Sequence, residues 1–147
     1  GTRRDGRSIP MTDFLIDTNC LLSYFTDRSP EQHVAISSYV LRASQLELSL
    51  TVVPHVLSEL VYVLERVYQQ PAPRVADLIA KTLKTPGIEY LDLHPMHEIL
   101  KVWPTDMVQY GDAVIAATAR VTGLAVLTFD RGFARGLLGL NIGHQVP

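Results

Sequence analysis

Four short apolar runs set the frame for this chain: Phe14–Ile16, Leu48–Val53, Ile88–Leu93 and Leu124–Phe129. Each has the length and composition of a strand, and the stretches between them carry apolar residues at helical spacing. No Asn-Gly or Asp-Gly pair lies between the runs to close a hairpin. Strands joined through helices and not through tight turns run parallel, and right-handed crossovers place the helices on both faces of the sheet. The expectation is a three-layer α/β/α fold around a mainly parallel sheet of four to five strands, the fifth being a short run within Asn141–Val146.

Helix boundaries follow from local chemistry. Leu21 to Phe25 continues the first strand as a short helix that Asp27-Arg28-Ser29-Pro30 interrupts. Ser29 caps the next, with Pro30 at its first position, as far as about Ser44. Pro54 opens a helix over His55 to about Gln69, closed by Pro71 and Pro73. Further helices span Val75–Leu83, Met96–Trp103 and Val108–Thr122, the last ended by Gly123. Gly1 to Met11, with Arg3, Arg4 and Arg7, is polar. Residues 1–10 read as a disordered or cloning-derived segment, and 11–147 as a single domain. At 147 residues there is enough chain for one real core. No apolar run is long enough for a membrane span. Cys20 is the only cysteine, so no internal disulfide forms, which fits a reducing cytoplasm.

The topology also says where certain acids lie. Parallel strands share one C-terminal edge, and a helix that directly follows a strand starts at that edge. Asp17 ends the first strand and Asp130 the fourth. Glu59 falls in the second turn of the helix after the second strand, and Asp112 follows Gly111 near the start of the helix leading into the fourth. Each alone has an ordinary explanation, as a helix cap, a turn residue or a solvated side chain. Independent caps need not choose one edge, however, and two like charges about 4 Å apart repel by roughly 4 kcal/mol at an effective dielectric near 20. Either some of these acids hold protons or a divalent cation sits among them. Oxygen ligands without a paired His or Cys select Mg²⁺ or Mn²⁺ over zinc, and such ions serve phosphoryl chemistry.

Taken together, Ile16-Asp17-Thr18-Asn19, the lone Glu59 in an apolar helix, Gly111-Asp112-Ala113-Val114-Ile115-Ala116-Ala117 and Leu127-Thr128-Phe129-Asp130-Arg131-Gly132-Phe133 resemble the PIN domain. Length and motif order resemble the single-domain toxins of VapBC-type toxin–antitoxin modules. The resemblance implies an Mg²⁺- or Mn²⁺-dependent endoribonuclease whose acidic site is Asp17, Glu59, Asp112 and Asp130. Asp17 and Asp112 would be the principal metal contacts. Asp130 and Glu59 would ligate directly or through water, with Asn19 and Thr128 as supporting hydrogen-bond partners. A cognate VapB-type antitoxin and a homodimer are implied as partners, with RNA as substrate. The family often places another acid after Asp130. Here Arg131 and Gly132 follow, and Arg131 is the candidate for substrate phosphate.

Rival readings fare less well. A receiver-type phosphoacceptor needs a late Lys, and none occurs beyond Lys101. A haloacid-dehalogenase-type phosphatase needs a second Asp where Asn19 stands. The five histidines show no metal-site spacing: His94 and His97 are three apart, but Pro95 lies between them. They read as surface or core-edge residues. With a net charge of -2, the chain does not hold nucleic acid by bulk positive charge. A housekeeping PIN-like nuclease and a binding-only PIN domain are the alternatives within the family. Val34, Tyr39, Val40 and Leu41, with Leu57, Tyr62 and Val63, are more apolar residues than one helix face needs. They raise the expectation of a partner groove between the helices that carry them.

Overall fold

The computed structural model describes residues 12–147; the segment 1–10 lies outside the described residues. Among the described residues, five strands, β1 (Asp13–Ile16), β2 (Ser49–Val52), β3 (Ile88–Tyr90), β4 (Ala125–Leu127) and β5 (His144–Gln145), alternate with seven helices. The helices are α1 (Thr18–Phe25), α2 (Pro30–Ser44), α3 (Pro54–Arg66), α4 (Ala72–Lys84), α5 (Met96–Val102), α6 (Tyr110–Thr122) and α7 (Arg131–Gly139). Every strand pairing is parallel, in the order β3-β2-β1-β4-β5. The architecture is a three-layer α/β/α sandwich. No described helix is long and apolar enough to cross a membrane.

β1 is the central strand. Phe14, Leu15 and Ile16 are fully enclosed, Phe14 beside Leu50 of β2, and Leu15 and Ile16 beside Val126 and Leu127 of β4. Burying one such side chain contributes about 1.5–3 kcal/mol, so the middle of the sheet anchors the fold. The strand order steps outward from β1 in both directions, which makes the gap between β1 and β4 the switch point where ligands bind in open parallel sheets. The backbone N–H of Asp17 bonds to the Leu127 carbonyl across that boundary, at 3.0 Å.

Caps behave as the residues dictate. Ser29 caps α2 by accepting from the Gln32 N–H, and Gly123 ends α6 with a left-handed φ of 76°. Several boundaries differ from the periodic reading: α3 stops at Arg66, β3 stops at Tyr90 and α6 starts at Tyr110. α1 begins at Thr18, directly after Asp17, because the Asp17 carboxylate caps it. Pro73 does not close α3 but sits in the first turn of α4, where a missing N–H costs nothing. One helix has no counterpart in the periodic reading. α7 carries three glycines, Gly132, Gly136 and Gly139, each worth about 1 kcal/mol against helix. Burial of Phe133, Ala134 and Leu137 overrides that local bias.

Candidate active site

Asp17, at the C-terminal end of β1, is buried and fully engaged. Its Oδ1 accepts from the Thr18 N–H at 2.8 Å, and its Oδ2 from the Thr128 hydroxyl at 2.8 Å and from Asn19 Nδ2 at 3.2 Å. Burial raises the acid's pKa, with Glu59 and Asp130 pushing the same way, while the bonds from Thr128 and Thr18 oppose it. Thr128 is buried just past β4, and its hydroxyl also accepts from the Asp130 N–H at 3.1 Å. Asn19 spans both strand ends: its Oδ1 accepts from the Phe129 N–H at 3.3 Å and its Nδ2 lies 3.3 Å from Thr128 Oγ1. One polar network therefore ties Asp17 to the backbone that presents Asp130.

The other two acids come from the helices. Glu59 on α3 accepts a hydrogen bond from the Thr18 hydroxyl at 3.1 Å, linking it to the residue beside Asp17. Gly111 then brings α6 against Glu59. A Cβ at that position would stand 3.5 Å from both carboxylate oxygens and 3.3 Å from His55 Nε2. Asp112 follows in the first turn of α6. Burial, and after it the charges of Asp17, Asp130 and Glu59, raise the Asp112 carboxyl to about 6. The four sequence-derived acids thus reach one edge, where the neighbouring carboxylates add to burial in raising Asp17 and Asp112.

The ordinary roles are also filled. Asp17 and Asp130 each cap a helix, Asp130 by accepting from the Phe133 N–H at 3.0 Å, so capping and clustering coincide in the same residues. Asp130 and Arg131 are both exposed, at the start of α7. Among the described residues, no three His, Cys, Asp or Glu side chains converge closely enough, as they stand, to share one ion. The donor chemistry fits a hard cation nonetheless: the acids offer only oxygen, and Asp112 is held back from ionising by burial and then by negative neighbours whose charge a cation would offset.

Sequence reasoning missed three contributors. Thr18 holds Glu59, and Gly111 admits α6 to it. The third, His55, is not a plain surface or core-edge residue: its Nε2 lies 3.0 Å from Glu59 Oε1, off the axis of a proper hydrogen bond. His55 first, with help from Thr18, keeps Glu59 below the usual carboxyl range despite burial. The i,i+4 spacing of His55 and Glu59 was the available signal, since it places both on one helix face.

Away from this edge, a groove of about 640 Å³ is lined by Tyr24, Phe25, Val40, Leu41, Leu78 and Ile88, among others. It is shared by α1, α2 and α4, whereas the apolar pattern raised the expectation of a groove between α2 and α3. Val40 is buried and Tyr39 packs edge-on to Phe14, whereas Val34, Leu41 and Tyr62 stay exposed at 70%, 58% and 64%.

The PIN domain family profile matches residues 14–136. Curated protein sequences yield no match. Among solved structures, the chain is similar to VapBC2 from Rickettsia felis bound to a DNA fragment from their promoter: 15% identity over 91% of this chain and 98% of that one, TM-score 0.64. It is also similar to Mycobacterium tuberculosis VapC20, a Sarcin-Ricin loop cleaving toxin, at 16% identity over 84% and 94%, TM-score 0.64. FitAcB from Neisseria gonorrhoeae matches at 17% identity over 89% and 95%, TM-score 0.56. At such identities the likeness is one of fold.

Proposed function

The chain belongs to the PIN domain family, and from that premise we propose that it is a metal-dependent endoribonuclease acting as the toxin of a type II toxin–antitoxin pair. The observation that carries the nuclease reading is the gathering of Asp17, Glu59, Asp112 and Asp130 at the β1/β4 switch point, with Asp112 raised to about 6 by burial and by the other three. Asp17 and Asp112 would be the principal contacts of an Mg²⁺ or Mn²⁺ ion, with Asp130 and Glu59 contributing directly or through water. Such an ion, when bound, activates a water and offsets charge at phosphorus.

The chain's own residues do the positioning. Thr128 and Asn19 fix both the place and the orientation of the Asp17 carboxylate, so it needs little reorganisation to act. Asp112 must give up its proton before it can serve a cation, so metal affinity falls as pH drops through about 6. Arg131, exposed and next to Asp130 in the chain, is the cation assigned to a substrate phosphate. Single-stranded or looped RNA is the substrate class, because its phosphates and base edges are reachable.

The toxin reading draws on the similarity to VapBC2, VapC20 and FitAcB. A cognate VapB-type antitoxin would lay an amphipathic segment into the α1/α2/α4 groove and aim an Arg or Lys at the carboxylates. Self-association as a homodimer belongs to the same proposal.

The test is direct. RNA cleavage is expected to vanish with chelator and to return with Mg²⁺ or Mn²⁺, leaving 5′-phosphate and 3′-hydroxyl ends because water is the nucleophile. Cleavage that persists in excess chelator, from a nuclease-free preparation, refutes the metal mechanism. Sequencing the RNA ends made after brief expression in the host identifies the target.

A further inference from the structure

His55 lies one turn before Glu59 on α3, with its side chain 18% exposed against 44% for Glu59. Its Nε2 is buried and has no aligned hydrogen-bond partner; Glu59 Oε1, at 3.0 Å, is the acceptor it faces. The ring cannot turn freely. Tyr110 packs across it at 5.8 Å between centroids and His94 at 6.1 Å. Tyr110 is itself fixed, by the Trp103 ring meeting it at 90° and 5.2 Å and by a 2.9 Å contact between its hydroxyl and His94 Nε2. The backbone at Gly111 closes over the pair, leaving only 3.3 Å between an added Cβ and Nε2. From the other flank, the Thr18 hydroxyl donates to the same Oε1.

These contacts matter because a glutamate side chain is long and loses rotamer freedom when it is held. Thr18 gives Glu59 one hydrogen bond, and His55 Nε2 adds a second polar neighbour 3.0 Å from the same carboxylate oxygen. We propose that His55 is a positioning residue, locked by Tyr110 and His94, that holds the Glu59 carboxylate at the acidic edge beside Asp112. The proposal rests on the nuclease reading of that edge and adds a residue to it.

The test compares two substitutions in the full chain. His55→Gln keeps a nitrogen donor near the position of Nε2, while His55→Leu fills similar space with none. Each is assayed for melting temperature, for Mn²⁺ affinity by calorimetry, and for kcat and KM on a 5′-labelled, randomised single-stranded RNA pool with Mn²⁺. Supporting contacts around metal sites are worth about 10–100-fold in affinity or activity. His55→Leu is therefore expected to lower kcat or Mn²⁺ affinity by about 10–100-fold, with KM for RNA changed by no more than about twofold. His55→Gln is expected to restore most of the loss. Where His55→Leu fails to fold, His55→Met is the apolar control.

If the apolar variant matches wild type in kcat and Mn²⁺ affinity, or the Gln variant does no better than the apolar one, His55 is only packing and the proposal is overturned. A wild-type chain that neither binds Mn²⁺ nor cleaves the pool overturns the nuclease reading and this inference together. A competent wild type indifferent to His55 overturns this inference alone.

Discussion

Asp17 and Asp112 look alike on charge alone, since removing either relieves a crowded anionic edge. Their surroundings separate them. Asp112 titrates near 6 in the folded chain and near 3.8 when unfolded. Below about pH 4 both states hold the proton and it contributes nothing. Between about pH 4 and 6 the unfolded chain releases the proton while the folded chain keeps it, so stability falls as pH rises. The unscreened shift corresponds to about 3 kcal/mol, and partial exposure of Asp112 reduces this to about 1 kcal/mol. Asp112→Asn is expected to stabilise the metal-free protein by about 1 kcal/mol at pH 7 and not at pH 4, while abolishing cleavage. Urea unfolding at the two pH values checks this, and an equal effect at both rules it out. Asp17→Asn is expected to abolish cleavage too but to destabilise, by about 1–3 kcal/mol. Its two oxygens accept from Thr18, Thr128 and Asn19, and an amide offers only one acceptor.

At the scale of elements, the turn between α4 and β3 is the tightest joint. Gly87 has φ +81°, and a Cβ there would stand 2.1 Å from the Ala43 carbonyl oxygen near the end of α2. Its own carbonyl accepts the Leu50 N–H at 2.9 Å, so the turn is tied to β2 as well. Gly87→Ala combines a left-handed backbone with a backbone clash, and neither can be relieved by turning a side chain. A loss of more than about 2 kcal/mol is expected. A change under about 0.5 kcal/mol in the denaturant midpoint analysis would mean that α2 yields at Ala43. Because this joint lies on the β3 side of the sheet, away from β4 and α7, residual cleavage by the folded fraction is expected to keep its metal requirement.

At the scale of the whole molecule, the proposed function draws on two surfaces, the acidic edge at the β1/β4 switch point and the α1/α2/α4 groove. Leu41 lines the groove yet is 58% exposed, so replacing it costs the fold little. Leu41→Glu is expected to leave the melting temperature and cleavage unchanged. It should weaken capture of the proposed VapB-type antitoxin by about tenfold or more, as loss of an apolar anchor does. Copurification at wild-type strength would place the antitoxin elsewhere. A chain harmless on its own, with a competent site and no small partner beside it, would favour a housekeeping nuclease over a toxin.

Local pattern was enough for the parallel α/β class and for the common edge of Asp17, Glu59, Asp112 and Asp130. Strand and helix periods say where each element starts, and in a parallel sheet that decides which end a residue occupies. The Ser29 cap and the Gly123 stop were legible for the same reason, since a cap acts within one turn. The order β3-β2-β1-β4-β5 was not legible, because pairing β1 with β4 depends on contacts more than a hundred residues apart, such as Thr128 with Asp17. α7 was hidden by its glycines and appears only because Phe133 and Leu137 find a core to enter. His55, Thr18 and Gly111 carried no mark of their own beyond spacing and adjacency; they meet Glu59 only once α1, α3 and α6 converge. The groove fell to α1, α2 and α4 because tertiary packing, and not the count of apolar residues on a helix, decides which apolar faces stay uncovered.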